Sequence, residues 1–291
     1  MPASRQIRSA LIVLYDIRPF SVDVFVNVQI KMYSEERLIN FRSISRIMAT
    51  HSPYVLSRKD LASSDLSFEL TEIGQFAEVA PNSLCTQFIF DNLDWLLDVD
   101  FPFEGYTALR ESILVGAARG RVAKLNAFVA YRPIRKQLIA SFSGTSSFAQ
   151  SVQDIRTLKI RHPHGHGCAV HTGFWKMYEG VREELIAIVK AGLNDHEVDE
   201  LVITGHSMGG ALSHLFAIDL LTPERPEFPK ELRIKIVVFG APRCGNAALV
   251  ELWLGLAREY REKHGMDSIE ELSVKAYRDG RWISSLLVGY G

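Results

Sequence analysis

The chain has 291 residues, of which 47% are hydrophobic and 23% are charged, and its formal net charge at pH 7 is −1. This length and composition suffice for a domain with a substantial core, and the near-neutral charge gives no reason to expect a nucleic-acid partner. Cys85, Cys168 and Cys244 are widely spaced and allow at most one bridge, which excludes a disulfide-rich scaffold.

The first 60 residues differ in pattern from the rest. Residues 21–30 (SVDVFVNVQI) alternate as a strand would, but the residues around them are mixed and basic. We expect residues 1–60 to form an appended segment of uncertain order, and residues 61–291 to form the main domain, C-terminally incomplete. The stretch SALIVLY (9–15) is followed by charged residues and no cleavage site, so the sequence as written predicts a cytoplasmic protein without a signal peptide. An extracellular protein is the alternative if the N-terminus is misassigned.

From residue 64 onwards, helix-like and strand-like segments alternate. Helices are predicted over residues 64–80, 83–99, 173–193, 207–221 and 246–265. Strands are predicted over residues 126–132, 137–144, 201–205, 234–240 and 272–277. Strands that alternate with helices of this length indicate an α/β fold, with a mostly parallel sheet covered by helices on both faces. No apolar run approaches the roughly 18 residues that a transmembrane helix needs.

Gly205, Ser207 and Gly209 form a G-x-S-x-G pattern between a predicted strand and a predicted helix. In this setting the pattern is typical of a nucleophile elbow, a turn so tight that side chains at the two glycines would collide with their neighbours. The serine hydroxyl would lie at a helix N-terminus, where the helix dipole favours developing negative charge. The bare pattern also occurs by chance, but the strand before it and the helix after it favour the catalytic interpretation.

A second stretch, after the predicted strand 137–144, carries Gly144, Thr145 and two serines. Acyl transfer needs two hydrogen-bond donors for the oxyanion. One is normally the backbone N–H after the nucleophile, here Met208, and the other comes from a loop after an earlier strand. Thr145 is placed to supply an N–H and a hydroxyl. An ordinary Ser/Thr turn is the alternative.

Four motifs, SFSGTSS, AVHTGFWKMYEGV, LVITGHSMGGALSHLFAIDL and VVFGAPRCGN, follow one another along the chain. In order and spacing they resemble the fungal class 3 lipases, an α/β-hydrolase family of triacylglycerol lipases and feruloyl esterases. The resemblance implies hydrolysis of carboxylic esters of lipids, with Ser207 as nucleophile and Thr145 with Met208 as the oxyanion hole. We expect a monomer that meets its lipid ester at a lipid–water interface, and the sequence gives no support for a cofactor.

The resemblance also implies a mobile lid after Thr145 and a triad acid at Asp279. Phe148, Val152 and Ile155 give the lid stretch an apolar face suited to a lipid surface, and a fixed core helix is the alternative. Asp279 follows a predicted strand and would hold the imidazole in the required tautomer. A turn-forming Asp-Gly pair is the alternative there.

The base of this triad should follow the acid in the chain, yet residues 280–291 contain no histidine. His214 lies seven residues beyond Ser207 on a predicted helix, which places it about 10 Å away. His264 ends the next predicted helix. His206 and His171 match positions that look structural in the resembled family. The chain as written is therefore expected to lack the base. The alternative to a lipase is a catalytically impaired, lipase-like lipid-binding protein or a truncated gene product.

One loop is rich in histidine, with His162, His164 and His166 at alternate positions. Such spacing can bind zinc or copper. The loop falls in a variable region of the resembled family, and its proline and glycines indicate irregular backbone. We therefore predict no metal site.

Overall fold

A computed structural model describes most of the chain from residue 64 onwards. The described residues are 64–80, 85–98, 103, 105–120, 125–144, 159–223, 228–229, 231–265, 267–274, 276–278 and 281–283. Residues 1–60, expected to form an appended segment, lie outside them.

Strands and helices alternate along these residues. The strands are β1 (Ile113–Arg119), β2 (Asn126–Arg132), β3 (Gln137–Phe142), β4 (Lys159–Arg161), β5 (Ala169–His171), β6 (Glu200–His206), β7 (Arg233–Phe239), β8 (Ile269–Val274), β9 (Ala276–Arg278) and β10 (Arg281–Ile283). The helices are α1 (Ser64–Val79), α2 (Thr86–Asp91), α3 (Leu93–Leu96), α4 (Thr107–Arg110), α5 (Thr172–Glu179), α6 (Arg182–Asp195), α7 (Met208–Leu220) and α8 (Ala247–His264).

The central sheet has six strands in the order β1-β2-β3-β6-β7-β8. The first three strands pair antiparallel, and β3, β6, β7 and β8 pair parallel. In register, Phe142 lies opposite Gly205, which lies opposite Val238. The carboxyl ends of β3, β6 and β7 therefore meet at one edge of the sheet, where ligands bind in open α/β folds.

Both faces of the sheet are covered, because successive residues of a strand point to opposite faces. Val202 and Val237 belong to a core cluster that includes residues of α1 to α4. Their neighbours Ile203 and Ile236 belong to a second cluster that includes residues of α5 to α8. The predicted α/β fold, mostly parallel and doubly covered, is confirmed.

Helix α7 lies deepest in the second cluster, and every one of its residues is buried. Its sequence, MGGALSHLFAIDL, is apolar except for Ser213, His214 and Asp219, and these three have partners inside the protein. The helix therefore has no polar stripe to leave in water. Burial on every side fixes the position of the helix N-terminus, which follows Ser207.

Two of the predicted helices are interrupted. The segment 83–99 forms α2 and α3, with Asn92 between them at φ −124° and its side-chain Nδ2 donating to the Phe88 carbonyl at 2.8 Å. The segment 173–193 forms α5 and α6, separated by Gly180 and Val181. The apolar spacing continues through both breaks, so the sequence pattern does not reveal them.

The sequence analysis also missed four strands, β1, β4, β5 and β10. Strand β1 is an edge strand with the sequence ILVGAAR that is largely exposed or half-buried, so it shows no clear alternation of apolar and polar residues. Strands β4 and β5 are only three residues long and pair with each other. The strand predicted over residues 272–277 instead begins at Ile269 and ends at Val274.

Ion pairs attach α1 to the strands at the end of the sheet opposite to the carboxyl ends of β3, β6 and β7. Arg132 of β2 contacts Glu72 of α1 at 2.9 Å, and Lys235 of β7 contacts Glu69 of α1 at 2.6 Å. Lys235 also lies 3.0 Å from Glu270 and 3.7 Å from Glu200. One ammonium group thus joins α1, β6, β7 and β8.

None of the helices in the described ranges combines the length and the apolar composition that crossing a membrane would require.

Candidate active site

Ser207 lies in the sharp turn between β6 and α7, with φ 54° and ψ −120°. A non-glycine residue at such angles is strained by about 1–3 kcal/mol and persists only where its surroundings hold it. The Ser207 N–H donates to the Phe239 carbonyl at 2.8 Å, and its own carbonyl accepts from the N–H of Gly210 at 3.0 Å. The side chain is half-buried, so the hydroxyl stands at the carboxyl edge of the sheet.

The glycines on either side of Ser207 allow this turn to close. A Cβ atom at Gly205 would lie 2.5 Å from the carbonyl carbon of Gly209. A Cβ atom at Gly209 would lie 2.2 Å from the carbonyl oxygen of Phe142, at the end of β3. A third glycine, Gly210, was not singled out from the sequence, and a Cβ atom there would lie 2.7 Å from the Cβ of Ala241. Strands β3 and β6 and helix α7 thus meet in backbone contact.

Two backbone segments face the position of the nucleophile. Met208 is the first residue of α7, and the N–H groups of a first helical turn have no partner within their own helix. Gly144 follows β3, and a Cβ atom there would lie 3.9 Å from the Cβ of Ser207 and 3.0 Å from the His206 carbonyl. Gly144, Ser207 and Met208 therefore lie close together in the described part of the chain.

The remaining predicted site residues are Thr145, Phe148, Val152, Ile155 and Asp279, and all lie outside the described residues. Thr145 directly follows Gly144 in the chain. Asp279 lies between β9 and β10, which pair antiparallel with Arg278 opposite Arg281.

The two histidines weighed as substitute bases are engaged elsewhere. His214 is fully buried in α7, with Nε2 3.5 Å from the Glu271 carboxylate of β8. His264, at the end of α8, stacks on Tyr260 with ring centroids 4.1 Å apart. Neither arrangement directs the imidazole towards the turn at Ser207.

His171 has a structural role in the described part of the chain. Its Nδ1 accepts from the N–H groups of Gly173 at 3.1 Å and Phe174 at 3.4 Å, and so caps the N-terminus of α5. A capping side chain that accepts these bonds satisfies donors that the helix leaves unpaired. The side chain of His206, which precedes the nucleophile, is exposed.

The histidine-rich loop joins β4 to β5 and packs on the helices. His162 is fully buried, with its ring edge on Trp175 at 4.9 Å between centroids, and burial lowers the pKa of its imidazole. His164 lies 3.6 Å from the buried carboxylate of Asp219, which accepts from the Tyr178 hydroxyl at 2.6 Å. Within the described ranges, no three His, Cys, Asp or Glu side chains are grouped as metal ligands.

Comparison with known proteins identifies relatives of this chain. Residues 139–276 match the model of the class 3 lipase family. The chain is 31% identical over 164 residues to secreted mono- and diacylglycerol lipase 1 of Fusarium solani, covering 55% of this chain and 46% of that protein. The chain spans less than half the length of the curated relatives that it matches.

Solved structures show the same fold. One is a triacylglycerol lipase whose catalytic centre is a serine protease triad; it is 23% identical, with a TM-score of 0.57 over 73% of this chain and 72% of that one. Another is the triacylglyceride lipase of Rhizomucor miehei, 26% identical, with a TM-score of 0.54 over 67% of this chain and 69% of that one. The protein is therefore an α/β-hydrolase in fold. Its residues 139–276 match the class 3 lipase family model, and the chain is similar at moderate identity to fungal lipases.

Proposed function

We propose that the chain is a serine carboxylic-ester hydrolase that acts on acylglycerols or similar lipid esters, with Ser207 as its nucleophile. The observation that carries the proposal is the strained turn at Ser207, at φ 54° between β6 and α7. Strain of this kind is retained where the surroundings hold it, often at active sites. Here the turn presents the hydroxyl at the helix N-terminus and beside Gly144.

In the proposed reaction the Ser207 Oγ attacks the ester carbonyl while a base takes its proton, and the base returns that proton to the departing alcohol. Water then hydrolyses the acyl–serine ester, which releases the fatty acid and restores the Ser207 hydroxyl. The N–H of Met208 would donate to the oxyanion, and Thr145 would supply a second N–H and its hydroxyl. Each such donor is worth about 3 kcal/mol of the barrier. Gly144 supports this role for Thr145, because it brings the chain to within van der Waals distance of Ser207 one residue earlier. Asp279 is proposed as the acid that orients the imidazole.

The relatives support the substrate class and the setting. The Fusarium protein is named as a secreted mono- and diacylglycerol lipase, which favours acylglycerols as substrate and an extracellular site of action for this chain. Phe148, Val152 and Ile155 are proposed as the apolar face of a lid that meets the lipid surface. The lid would cover the free Ser207 and shield its apolar surroundings from water until a lipid ester is bound.

A second candidate function is a lipase-like protein that binds lipid esters with little turnover. The observation that favours it is that His214 and His264, the two histidines weighed as substitute bases, are engaged elsewhere in the described part of the chain. Loss of a triad member leaves about 10³ to 10⁴-fold catalysis over water, which comes from the oxyanion hole and from binding. A protein of this kind would retain only this residual rate.

The test is turnover of p-nitrophenyl butyrate by the purified chain and by its Ser207→Ala variant. Alanine also has a Cβ atom and keeps the backbone strain at position 207, so the comparison isolates the hydroxyl. Substantial turnover that the alanine removes would support the hydrolase, and a weak Ser207-dependent rate would support the impaired form. Equal turnover in both would overturn hydrolysis by Ser207. Co-sedimentation with tributyrin droplets would then decide whether the chain binds lipid esters.

A further inference from the structure

Ser143 makes an unusual pair of hydrogen bonds where β3 ends. Its backbone N–H donates to the carbonyl of Asn126 at 2.8 Å, and its hydroxyl Oγ accepts from the N–H of Asn126 at 3.0 Å. The residue is buried, with 4% of its surface exposed. The residue that directly follows β3 therefore binds both main-chain groups of its partner on β2.

The second of these bonds replaces a bond of the sheet. The ladder between β2 and β3 pairs Ala127 with Phe142, so Asn126 and Ser143 are the next pair. In an antiparallel ladder such a pair exchanges two N–H to carbonyl bonds. Here the N–H of Asn126 binds the hydroxyl of Ser143 in place of its carbonyl. Serine side chains can substitute for main-chain groups in this way.

This substitution lets the chain leave the sheet without an unpaired donor. The N–H of Asn126 is satisfied, and the peptide group between Ser143 and Gly144 is released from the ladder. Gly144 then lies against β6 and α7, where a Cβ atom would be 3.0 Å from the His206 carbonyl and 3.9 Å from the Cβ of Ser207. The departure from the sheet at Ser143 is thus what carries the chain to the nucleophile.

We propose that Ser143 is a positioning residue for the oxyanion-stabilising segment. Its hydroxyl ends the β2–β3 ladder and fixes the direction in which Gly144 approaches Ser207. The link to catalysis rests on the proposed function, whereas the effect of Ser143 on the backbone does not. A loop displaced by about 1 Å can lose a large factor in rate, since a donor stabilises the oxyanion only at hydrogen-bond distance.

The test compares Ser143→Ala with Ser112→Ala. Ser112 is also buried and donates from its hydroxyl to the Leu109 carbonyl at 2.6 Å, but it precedes β1 at the opposite edge of the sheet. Amide hydrogen exchange of the full chain is measured by mass spectrometry in the peptides that contain Asn126 and Gly144. We expect exchange in both peptides to be about tenfold faster in Ser143→Ala, because an unsatisfied donor opens to water. Ser112→Ala should leave them unchanged, and Ser143→Thr, which keeps a hydroxyl, should restore slow exchange at Asn126.

The second measurement is Ser207-dependent turnover of p-nitrophenyl butyrate. For Ser143→Ala we expect kcat to fall about tenfold with KM nearly unchanged, since an oxyanion donor acts in the transition state. Unchanged exchange in Ser143→Ala would overturn the proposal, and so would faster exchange with unchanged kcat. If the parent chain has no Ser207-dependent turnover, the proposed function fails while hydrogen exchange still decides whether Ser143 fixes the segment.

Discussion

The carbonyl oxygen of Phe142 occupies space that any side chain at Gly209 would need: a Cβ atom there would lie 2.2 Å from it. Phe142 ends β3 and Gly209 lies in the first turn of α7, so this approach sets how closely the helix can sit against the sheet. Because the contact involves backbone on both sides, no side-chain rotation can relieve it. The spacing between Ser207 and the segment after β3 depends on the same contact.

Replacing Gly209 by alanine is therefore expected to destabilise the protein by at least about 3 kcal/mol, since overpacking against backbone forces the helix to move. Gly255 is the matched control, because it lies inside α8 with nothing within 4 Å of its Cβ position. Gly255→Ala should stabilise by about 0.5–1 kcal/mol through helix propensity. Thermal unfolding of both variants checks the prediction, which would be wrong if the two midpoints moved in the same direction.

Lys235 is expected to be a major contributor to stability, because three carboxylates on three elements depend on it. Its ammonium group is mostly buried, with 13% of the side chain exposed, and Glu200 beside it is also buried. Removing one partner leaves buried charge uncompensated, so Lys235→Ala should cost about 3 kcal/mol of unfolding free energy, as measured by urea titration.

Lys136 provides the control for that measurement. It pairs with Glu197, but both side chains are exposed, and exposed pairs contribute little. Lys136→Ala should leave the urea midpoint nearly where it is in the parent. An equal loss in the two variants would show that burial of Lys235 is not what makes it important.

The protein should lose stability as the pH falls below the ordinary histidine pKa, in part because of His162. Burial of this ring lowers its pKa in the folded state. The unfolded chain therefore takes up the proton at a higher pH than the folded protein does. The contribution of neutral His162 to the free energy of unfolding is fully present above the pKa of the unfolded chain, and it is lost as the pH falls towards the pKa of the folded protein.

This prediction is checked by the unfolding midpoint at about pH 7.5 and about pH 5.5, on either side of the ordinary histidine value. His162→Gln should show a smaller drop between the two conditions than the parent. His166, in the same loop, is exposed, and His166→Gln should behave as the parent does. If the unfolding midpoint fell equally in all three proteins between the two pH values, His162 would not be a cause of the pH dependence.

Of the three cysteines, only Cys85 is expected to react with a thiol reagent in the folded protein. Cys85 is exposed and all three thiols are free, whereas Cys168 and Cys244 are buried. Burial raises the pKa of the Cys244 thiol to about 12 and also raises the pKa of Cys168, so neither forms the reactive thiolate near neutral pH. Titration with Ellman's reagent should release one equivalent from the native chain, none from Cys85→Ala, and three from the unfolded parent.

Much of this fold follows from local patterns in the sequence. Continuous apolar runs such as LVITG and IKIVVF predict buried parallel strands, and the mostly apolar α7 lies between them in the chain. The breaks at Asn92 and Gly180 were not predictable, since the apolar spacing continues through them. Strand β1 was missed because its sequence, ILVGAAR, does not alternate between apolar and polar residues, as expected of a strand that is half-exposed on both faces.

The candidate site was predictable only in part. The spacing of Gly205, Ser207 and Gly209 indicates a tight turn, because the reason for each glycine lies within a few residues. The contribution of Ser143 was not apparent, because its hydrogen-bond partner, Asn126, lies on another strand. A buried serine between an apolar strand and a glycine is the signal that could have drawn attention to it.

The strained backbone at Ser207 also bears on how substitutions accumulate at this position. Glycine adopts a positive φ without steric cost, so for folding alone it would suit position 207 at least as well as serine. Drift under selection for stability would be expected to favour glycine there, and only a requirement for the hydroxyl opposes that drift. In descendants of this chain that no longer need the nucleophile, position 207 should be among the first of the turn to change.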